Sequence, residues 1–253
     1  MRLFMNFAEA TNEIRRDLKE MGHRVHPKSY QNKDISNDPN FATQELTNYV
    51  YMVINPMSTL EQLTITEPWA DEEAKERFSG KRLNPGEAYK TRDDIWNEFL
   101  VHGKFDYSYP QRLNPVGLIN TEKLGDKPEE IEVGMVDSIQ LVADELAQNP
   151  DSRQCFIPLF DAMDLNNLGG KKRVPCTLGY QIQIRENMLH ITYLQRSSDF
   201  ATHFQNDVYL AVRLLEEIAN RIERQNGIKY QLGSFTHWIG SLLIYAKDVK
   251  NVF

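Results

Sequence analysis

"KKRVPCTLGYQIQIRENMLHITYLQRSSDF", residues 171–200, places a cysteine behind a proline, then an alternating run, a turn and a second run. Tyr180, Ile182 and Ile184 alternate with Gln181 and Gln183, the period of a strand with one wet face. The stretch predicts strands over 176–185 and 189–195, joined at Glu186-Asn187-Met188. Cys176 heads the first strand, where a basic loop ends. A lone cysteine is most often a small apolar core residue, and Cys155 is read that way.

Outward from this pair, a strand is expected within 154–160. Ahead of it, 133–150 reads as a helix ended by Asn149-Pro150. Beyond the pair, Val208, Ala211, Val212, Leu215, Ile218, Ala219 and Ile222 form one helical stripe, closed by Gly227. Asn206 and Asp207 stand at its mouth, where such residues commonly cap a helix. Residues 230–248 supply the last strand or strands. In the N-terminal half, 6–21 reads as a helix stopped at Gly22, followed by a polar, turn-rich stretch to 40. Residues 41–54 read as a second helix carrying Glu45. Short helices and loops follow over 55–90, then a short helix over 91–103 with Trp96 and an aromatic loop over 105–115. Repeats, low-complexity tracts and obvious linkers are missing, so one domain over 1–253 is expected. Strand pairs mixed with long helices indicate the α+β class.

The chain has 253 residues, 41% hydrophobic and 26% charged, with a net charge of −7. That balance is ordinary for a globular protein. It disfavours coating of nucleic acid, which draws affinity from many cationic contacts to phosphate. Two cysteines allow neither a four-cysteine metal site nor a disulfide framework. The histidines, His23 and His26 included, form no ligand set, so no metal is expected. The N-terminus mixes charges into its apolar positions, unlike a signal peptide. No run approaches the roughly 18 apolar residues of a membrane span. A reducing cytoplasm is the expected setting, with neither membrane nor nucleic acid as partner.

Taken together, several motifs are specific. "RVPC" (173–176), "QRSSDF" (195–200), a helix mouth with Asp207 eight residues past Asp199, "GSLLIY" (240–245) and "QNPDSR" (148–153) resemble the thymidylate synthase family. The resemblance runs over 140–246. In the N-terminal half it is carried by Glu45 in "TQELTNY" and Trp96 in "DDIW". It implies a mixed β-sheet packed with helices and a homodimer formed through the sheets. It further implies a thiolate that adds to C6 of a pyrimidine nucleotide, so that C5 captures a one-carbon unit from the co-substrate 5,10-methylenetetrahydrofolate. On that basis Cys176 is the nucleophile, its thiolate favoured by nearby guanidinium groups, above all Arg196. Arg196, Ser197 and Arg153 hold the phosphate, Arg153 reaching across from the second subunit. Asp199 sits near the base, and Gln195 and Lys28 belong to the same nucleotide site. Glu45 orders water and moves protons. Tyr245 bonds the sugar hydroxyl, and Trp96 and Tyr109 face the folate.

The chain departs from synthases where it matters for the base. Eleven residues past Arg196 synthases carry asparagine, whose amide donates to O4 and accepts from N3–H of uracil. Here the residue is Asp207. Cytosine offers an N4 donor and a bare N3 acceptor, which suits a carboxyl group that accepts from one and shares a proton with the other. Hydrogen-bond polarity of this kind can reject the wrong base by orders of magnitude. The "F-x-N-D" context of Asp207, and Thr177 directly after the cysteine, resemble phage deoxycytidylate hydroxymethylases. Gln154 replaces a second arginine after Arg153. Leu243 replaces a histidine that bonds the sugar, which leaves ribose and deoxyribose both open. The chain ends eight residues past Tyr245, ahead of the segment that closes synthase sites, and easier water entry suits hydroxymethylation.

The resulting expectation is a folate-dependent 5-hydroxymethyltransferase of a cytidine 5'-monophosphate (dCMP or CMP). The alternatives are a synthase-type methyltransferase in which tetrahydrofolate donates hydride, and an inactive nucleotide-binding relative. Zinc cytidine deaminases also carry Pro-Cys, but they need H-x-E and P-C-x-x-C. Pro175-Cys176 is followed by Thr177, Leu178 and Gly179, and H-x-E does not occur.

Overall fold

The structure, a computed structural model, describes residues 1–30, 33–120 and 131–253. In chain order its elements begin with β1 (Arg2–Phe4), α1 (Phe7–Met21), β2 (His23–Val25), β3 (Ser29–Tyr30), β4 (Lys33–Asp34) and β5 (Thr43–Ile54). Short elements follow: α2 (Trp69–Arg77), α3 (Asp93–Trp96), α4 (Tyr109–Leu113), β6 (Val116–Asn120) and β7 (Ile131–Met135). The last part holds α5 (Ser138–Gln148), β8 (Phe156–Pro158), β9 (Thr177–Arg185), β10 (Met188–Asp199), α6 (Phe204–Asn226), β11 (Gln231–Tyr245) and α7 (Val249–Val252).

One mixed sheet organises the molecule, in the order β1-β5-β11-β10-β9-β8, with β2 also on β5. The β9–β10 hairpin is antiparallel, whereas β10 and β11 run parallel and are joined through α6. Alternate residues of each strand are buried under the helices: Tyr180, Ile182 and Ile184 of β9, and Leu189, Ile191 and Tyr193 of β10. The stripe of α6 closes the same core, with Val208, Ala211, Val212, Leu215, Ile218 and Ile222 inaccessible. Burying each of the larger of these side chains contributes roughly 1.5–3 kcal/mol. Buried Arg221 fixes α6 to its neighbours: it donates to Asp137 at 2.8 Å, the cap of α5, and to the Phe78 carbonyl at 2.8 Å, just past α2.

Several sequence expectations change. Residues 43–54 are a strand, not a helix. Tyr51 and Val53 face the core while Val50, Met52 and Ile54 face the other side, a period of two that apolar residues on both faces disguise. The expected helix over 133–150 starts only at Ser138. Asp137 accepts from the N–H groups of Ile139 and Gln140, and the residues before it pair as β7. The segment 91–103 breaks into short helical turns. The aromatic loop contains α4, capped by Ser108. Neither Asn206 nor Asp207 caps α6, since the helix starts at Phe204. The β9–β10 hairpin, α1 with its stop at Gly22, and α6 with its stop at Gly227 agree with the sequence reading. Cys155 is buried in the core, as expected.

Candidate active site

A cavity of about 520 Å³ opens where β9 begins, β10 ends and α6 starts. Cys176, Arg196, Ser197, Asp199 and Asp207 line it, together with Glu45 and Tyr245 from the neighbouring strands and Trp96 and Tyr109 from the short helices. Residues far apart in sequence therefore converge because three chain turns meet at one end of the sheet.

The hairpin register explains the thiol's position. Arg196 N–H donates to the Cys176 carbonyl at 2.8 Å, so the two residues stand side by side. The Arg196 guanidinium donates to the carbonyls of Pro175 and Val174, each at 2.8 Å, and its Nη2 lies 3.8 Å from Cys176 Sγ. The expectation of a favoured thiolate is not met as a net effect: the Arg196 and Arg173 guanidinium groups do pull the thiol down, but it stays above its ordinary value. Burial raises the thiol above its ordinary value; Arg196 pulls it down, and Asp207 and Asp199 push it up again.

Asp207 is pushed up to about 6 by burial, against the pull of Arg77 and of a hydrogen bond from Gln195. Gln195 Nε2 donates to Asp207 Oδ2 at 2.8 Å. Oδ1 has no hydrogen-bond partner among the described residues. Asn206, adjacent in sequence, turns away. Its Oδ1 accepts from Thr66 N–H at 2.8 Å, outside the cavity lining. Burial also raises Asp199, which accepts from Ala201 N–H. Tyr245 packs edge-on against Tyr30 at 5.6 Å and Phe41 at 5.5 Å.

The remaining expected residues divide. Tyr109 stands beside the thiol, because Thr177 N–H donates to its hydroxyl at 3.4 Å. Trp96 stacks on Trp69 with ring centroids 5.9 Å apart, and its buried Nε1 has no partner. Gln195 is fully buried behind Asp207 and does not line the cavity. Arg153 and Lys28 are exposed and outside the lining.

Sequence reasoning missed a second layer of charge. Glu73 and Arg77 on α2 line the cavity, paired at 2.8 Å, with the Arg77 guanidinium 4.1 Å from the Tyr109 ring centroid. Burial works against the Arg77 charge, yet Glu73 and the nearby tyrosines hold its pKa above the ordinary arginine value. The signal available was the i, i+4 spacing of an acid and a base on one helix face. His203, also in the lining, is pushed down to about 3 by burial and by Arg92 and Arg173 and is therefore neutral. Ser198 Oγ and Thr43 Oγ1 are buried in the same wall without partners. Such orphaned atoms suit a polar ligand.

The family model for thymidylate synthase matches residues 78–253. The chain belongs to the thymidylate synthase family. Among curated relatives, proteins provisionally named thymidylate synthases from Methanosarcina barkeri and Methanosarcina mazei are 29% identical over 151 residues and 28% over 152. These matches cover 53% and 54% of this chain, and the chain spans 59% of the length of each relative. Thymidylate synthase A from Bacillus subtilis superposes with a TM-score of 0.69 at 18% identity, covering 98% of this chain and 83% of that one. The fold is therefore that of thymidylate synthases, a mixed sheet packed with helices. Among the described residues no group of side chains could hold a metal ion, and no helix is long and apolar enough to cross a membrane.

Proposed function

We propose that the protein transfers a one-carbon unit to C5 of a cytidine 5'-monophosphate, dCMP or CMP, and releases the 5-hydroxymethyl product. Asp207 carries this reading: a carboxyl group lining the cavity, pushed up to about 6, with Oδ1 left without a hydrogen-bond partner among the described residues. Near neutral pH such a group lends and recovers a proton as charge builds on the ring, which suits cytosine N3 beside an N4 donor.

The wall of Trp69 and Trp96, with an orphaned indole N–H, fits a flat heteroaromatic ring. Methylenetetrahydrofolate, when bound, supplies the one-carbon unit at the oxidation level of formaldehyde. The chain's own residues do the rest. Arg196 and Ser197 bind the phosphate, aided by Arg153 of a second copy in a homodimer. Cys176 Sγ adds to C6 as a thiolate, and electron density moves to C5. Asp207 shares its proton with N3. After the one-carbon unit is attached, C5 loses its proton as the bond from that carbon to the folate nitrogen breaks, so that tetrahydrofolate leaves and the ring carries an exocyclic methylene. Water oxygen then bonds to the exocyclic carbon and gives up a proton, and the Cys176 sulfur leaves C6. Glu45 and Glu73 are the candidates to move these protons, and Glu73 is the one whose charge is felt at Asp207. Tyr245 bonds the sugar.

A second reading, methylation with hydride supplied by tetrahydrofolate, is favoured by the family itself. Mass spectrometry decides. The protein is mixed with methylenetetrahydrofolate and, in turn, CMP, dCMP, UMP and dUMP. A cytidylate gaining CH₂O supports the proposal. A gain of CH₂ on any base overturns hydroxymethylation, and product from the uracil nucleotides alone overturns the cytosine assignment.

A further inference from the structure

Behind Asp207 lies a row of rings that crosses the sheet. Strand register places Tyr180, Tyr193, His237 and Tyr51 side by side on β9, β10, β11 and β5. Tyr193 stacks on His237 at 4.5 Å and 10°. Phe204 of α6 lies nearly parallel to His237 as well, at 6.0 Å. Within this sandwich the polar atoms form a chain. Tyr51 hydroxyl and His237 Nδ1 are 3.1 Å apart, and His237 Nε2 and Gln195 Oε1 are 2.9 Å apart. Gln195 Nε2 then reaches Asp207 Oδ2 at 2.8 Å. Tyr51, His237 and Gln195 are all wholly inaccessible.

The polarity of this chain is fixed from its end. An ionised carboxylate only accepts, so Gln195 donates its N–H to Oδ2 and turns its carbonyl to His237. Burial holds the imidazole neutral, with one N–H to give. That N–H sits on Nε2, and Nδ1 accepts from the Tyr51 hydroxyl. Reversal needs an amide flip, a tautomer change and a hydroxyl rotation together. While the chain keeps this direction, Oδ2 remains an acceptor. A proton arriving on Asp207 is left to Oδ1.

A protonated carboxyl group can present donor and acceptor either way round, and so suits both cytosine and uracil. Locked to one oxygen, it suits one base only. We propose that His237 and Tyr51, which touch no substrate, are positioning residues that set base choice by dictating which oxygen of Asp207 carries the proton. This rests on Asp207 reading the base, but not on which base it prefers.

Other charges act on Asp207 and stay unchanged in the test: Arg77 and Glu73 from α2 and Arg92 from the turn before α3. Cys176, Tyr109, Tyr180 and Tyr193 also face it. The test compares wild type with His237→Phe, which keeps a flat ring, and Tyr51→Phe, which removes one hydroxyl. Ile239→Val is the control, a core neighbour opposite Gln195 that has no part in the chain. The first readout is the ratio of kcat/KM for the cytosine and uracil nucleotides. The ratio should move at least tenfold towards unity in His237→Phe, less in Tyr51→Phe, and not at all in Ile239→Val. The second readout needs no substrate. The ¹³C carboxyl resonance of Asp207 should titrate near 6 in the wild type and higher in both phenylalanine variants, because the donor that favours the charged form is no longer held. If His237→Phe does not fold, Tyr51→Phe alone carries both readouts. A ratio within twofold of wild type with an unmoved Asp207 titration overturns the proposal. A wild type that prefers uracil overturns the cytidylate reading only, since the ratio must still collapse towards unity in the variants.

Discussion

The cavity has two walls of different construction. One is the end of the sheet: Cys176 at the head of β9, Arg196 to Asp199 on β10, and Asp207 in the first turn of α6. Pairing with β11 holds Ser197 to Asp199, and the Arg196 N–H to Cys176 carbonyl bond ties Arg196 to the thiol, so the register leaves these side chains little freedom. The other wall is assembled from short pieces, with Glu73 and Arg77 on a nine-residue helix, Trp96 on a four-residue one and Tyr109 on one of five. Here placement depends on side-chain contacts, the Glu73–Arg77 pair and the stacked tryptophans. On the proposed reading the sheet wall gathers nucleophile, phosphate grip and base reader. The helical wall offers aromatic surface and a second acid. On that reading the rigid part fixes the atoms that react, and the assembled part shapes what they meet.

Cys176→Ser is the strongest way to break this comparison. If the sheet wall holds the nucleophile, steady-state turnover vanishes while nucleotide binding, measured by calorimetry, persists. Cys155→Ser, in the core and outside the lining, leaves turnover near wild type. A Cys176→Ser protein retaining more than a few per cent of the rate refutes the assignment.

Asp207→Asn comes next. It should cost roughly 2–4 kcal/mol of transition-state stabilisation on the cytosine nucleotide, because a charged bond is lost where charge develops. Turnover of the uracil nucleotide should rise, since an amide faces N3–H and O4 together. Asn206→Ala is the control: its bonds go to Thr66 and to the Thr202 carbonyl, so it should lower thermal stability and leave base choice alone. If base choice instead follows Asn206, the cytosine argument fails.

These two residues also show how much was legible. Strand alternation over 176–195 and the α6 stripe depend on local period, and a sequence displays period directly. The residues of the sheet wall were foreseen from the resemblance to thymidylate synthases, whose motifs fall at 173–176 and 195–207, and the structure brings Cys176, Arg196, Ser197, Asp199 and Asp207 to one cavity. The charged pair of the helical wall was not foreseen. Glu73 lies in "WADEEAKERFSG", where the i, i+4 acid–base spacing occurs twice, Asp71 with Lys75 and Glu73 with Arg77, and no apolar stripe tells which pair turns inward. Glu45 was assigned to a helix because it lies inside a mostly apolar segment, 41–54, with no visible alternation. Val50, Met52 and Ile54, on the face away from the core, are apolar as well, so the period of two in β5 has no polar side to display it. The chain of hydrogen bonds behind Asp207 was invisible for a different reason: Tyr51, Gln195 and His237 meet only through register between strands.

The two walls compete for one role, and that sharpens the contrast. Glu73→Gln should lower kcat by about a hundredfold, in the range of a lost general acid or base. Glu45→Gln should lower it less. Single-turnover rapid-quench kinetics measures the chemical step for each. Equal losses would mean that both carboxylates share the proton transfers, and the reverse order returns the role to the strand.

Arg153 tests whether the sheet wall is completed by a second copy. It is exposed and away from its own cavity. Arg153→Ala should weaken turnover by raising KM for the nucleotide. Mixing Arg153→Ala with Cys176→Ser subunits should then restore up to about a quarter of wild-type activity, since half the dimers are hybrids with one sound site of two. No recovery in fully exchanged mixtures means that each subunit works alone.

The smallest effect separates the reading of Asp207 as a tuned group from a merely tolerated one. Its folded pKa is raised from 3.8 to about 6. Between those values the folded state holds a proton that the unfolded state has released. Stability therefore falls as pH rises from about 4 to 6 and stays lower above that. A shift of this size corresponds to at most about 3 kcal/mol, at 1.36 kcal/mol per unit. Asp207→Asn removes the titrating group but keeps its shape. The variant should match wild type in thermal stability near pH 4 and exceed it by about 1–3 kcal/mol at pH 7 and above. Melting curves from pH 4 to 8 measure the difference directly. A gap that widens across that range and then levels off marks a carboxyl group kept at a cost in stability for its chemistry. Parallel curves would mean that the cavity solvates the carboxylate well, and that the base-reading role has to be sought in another residue.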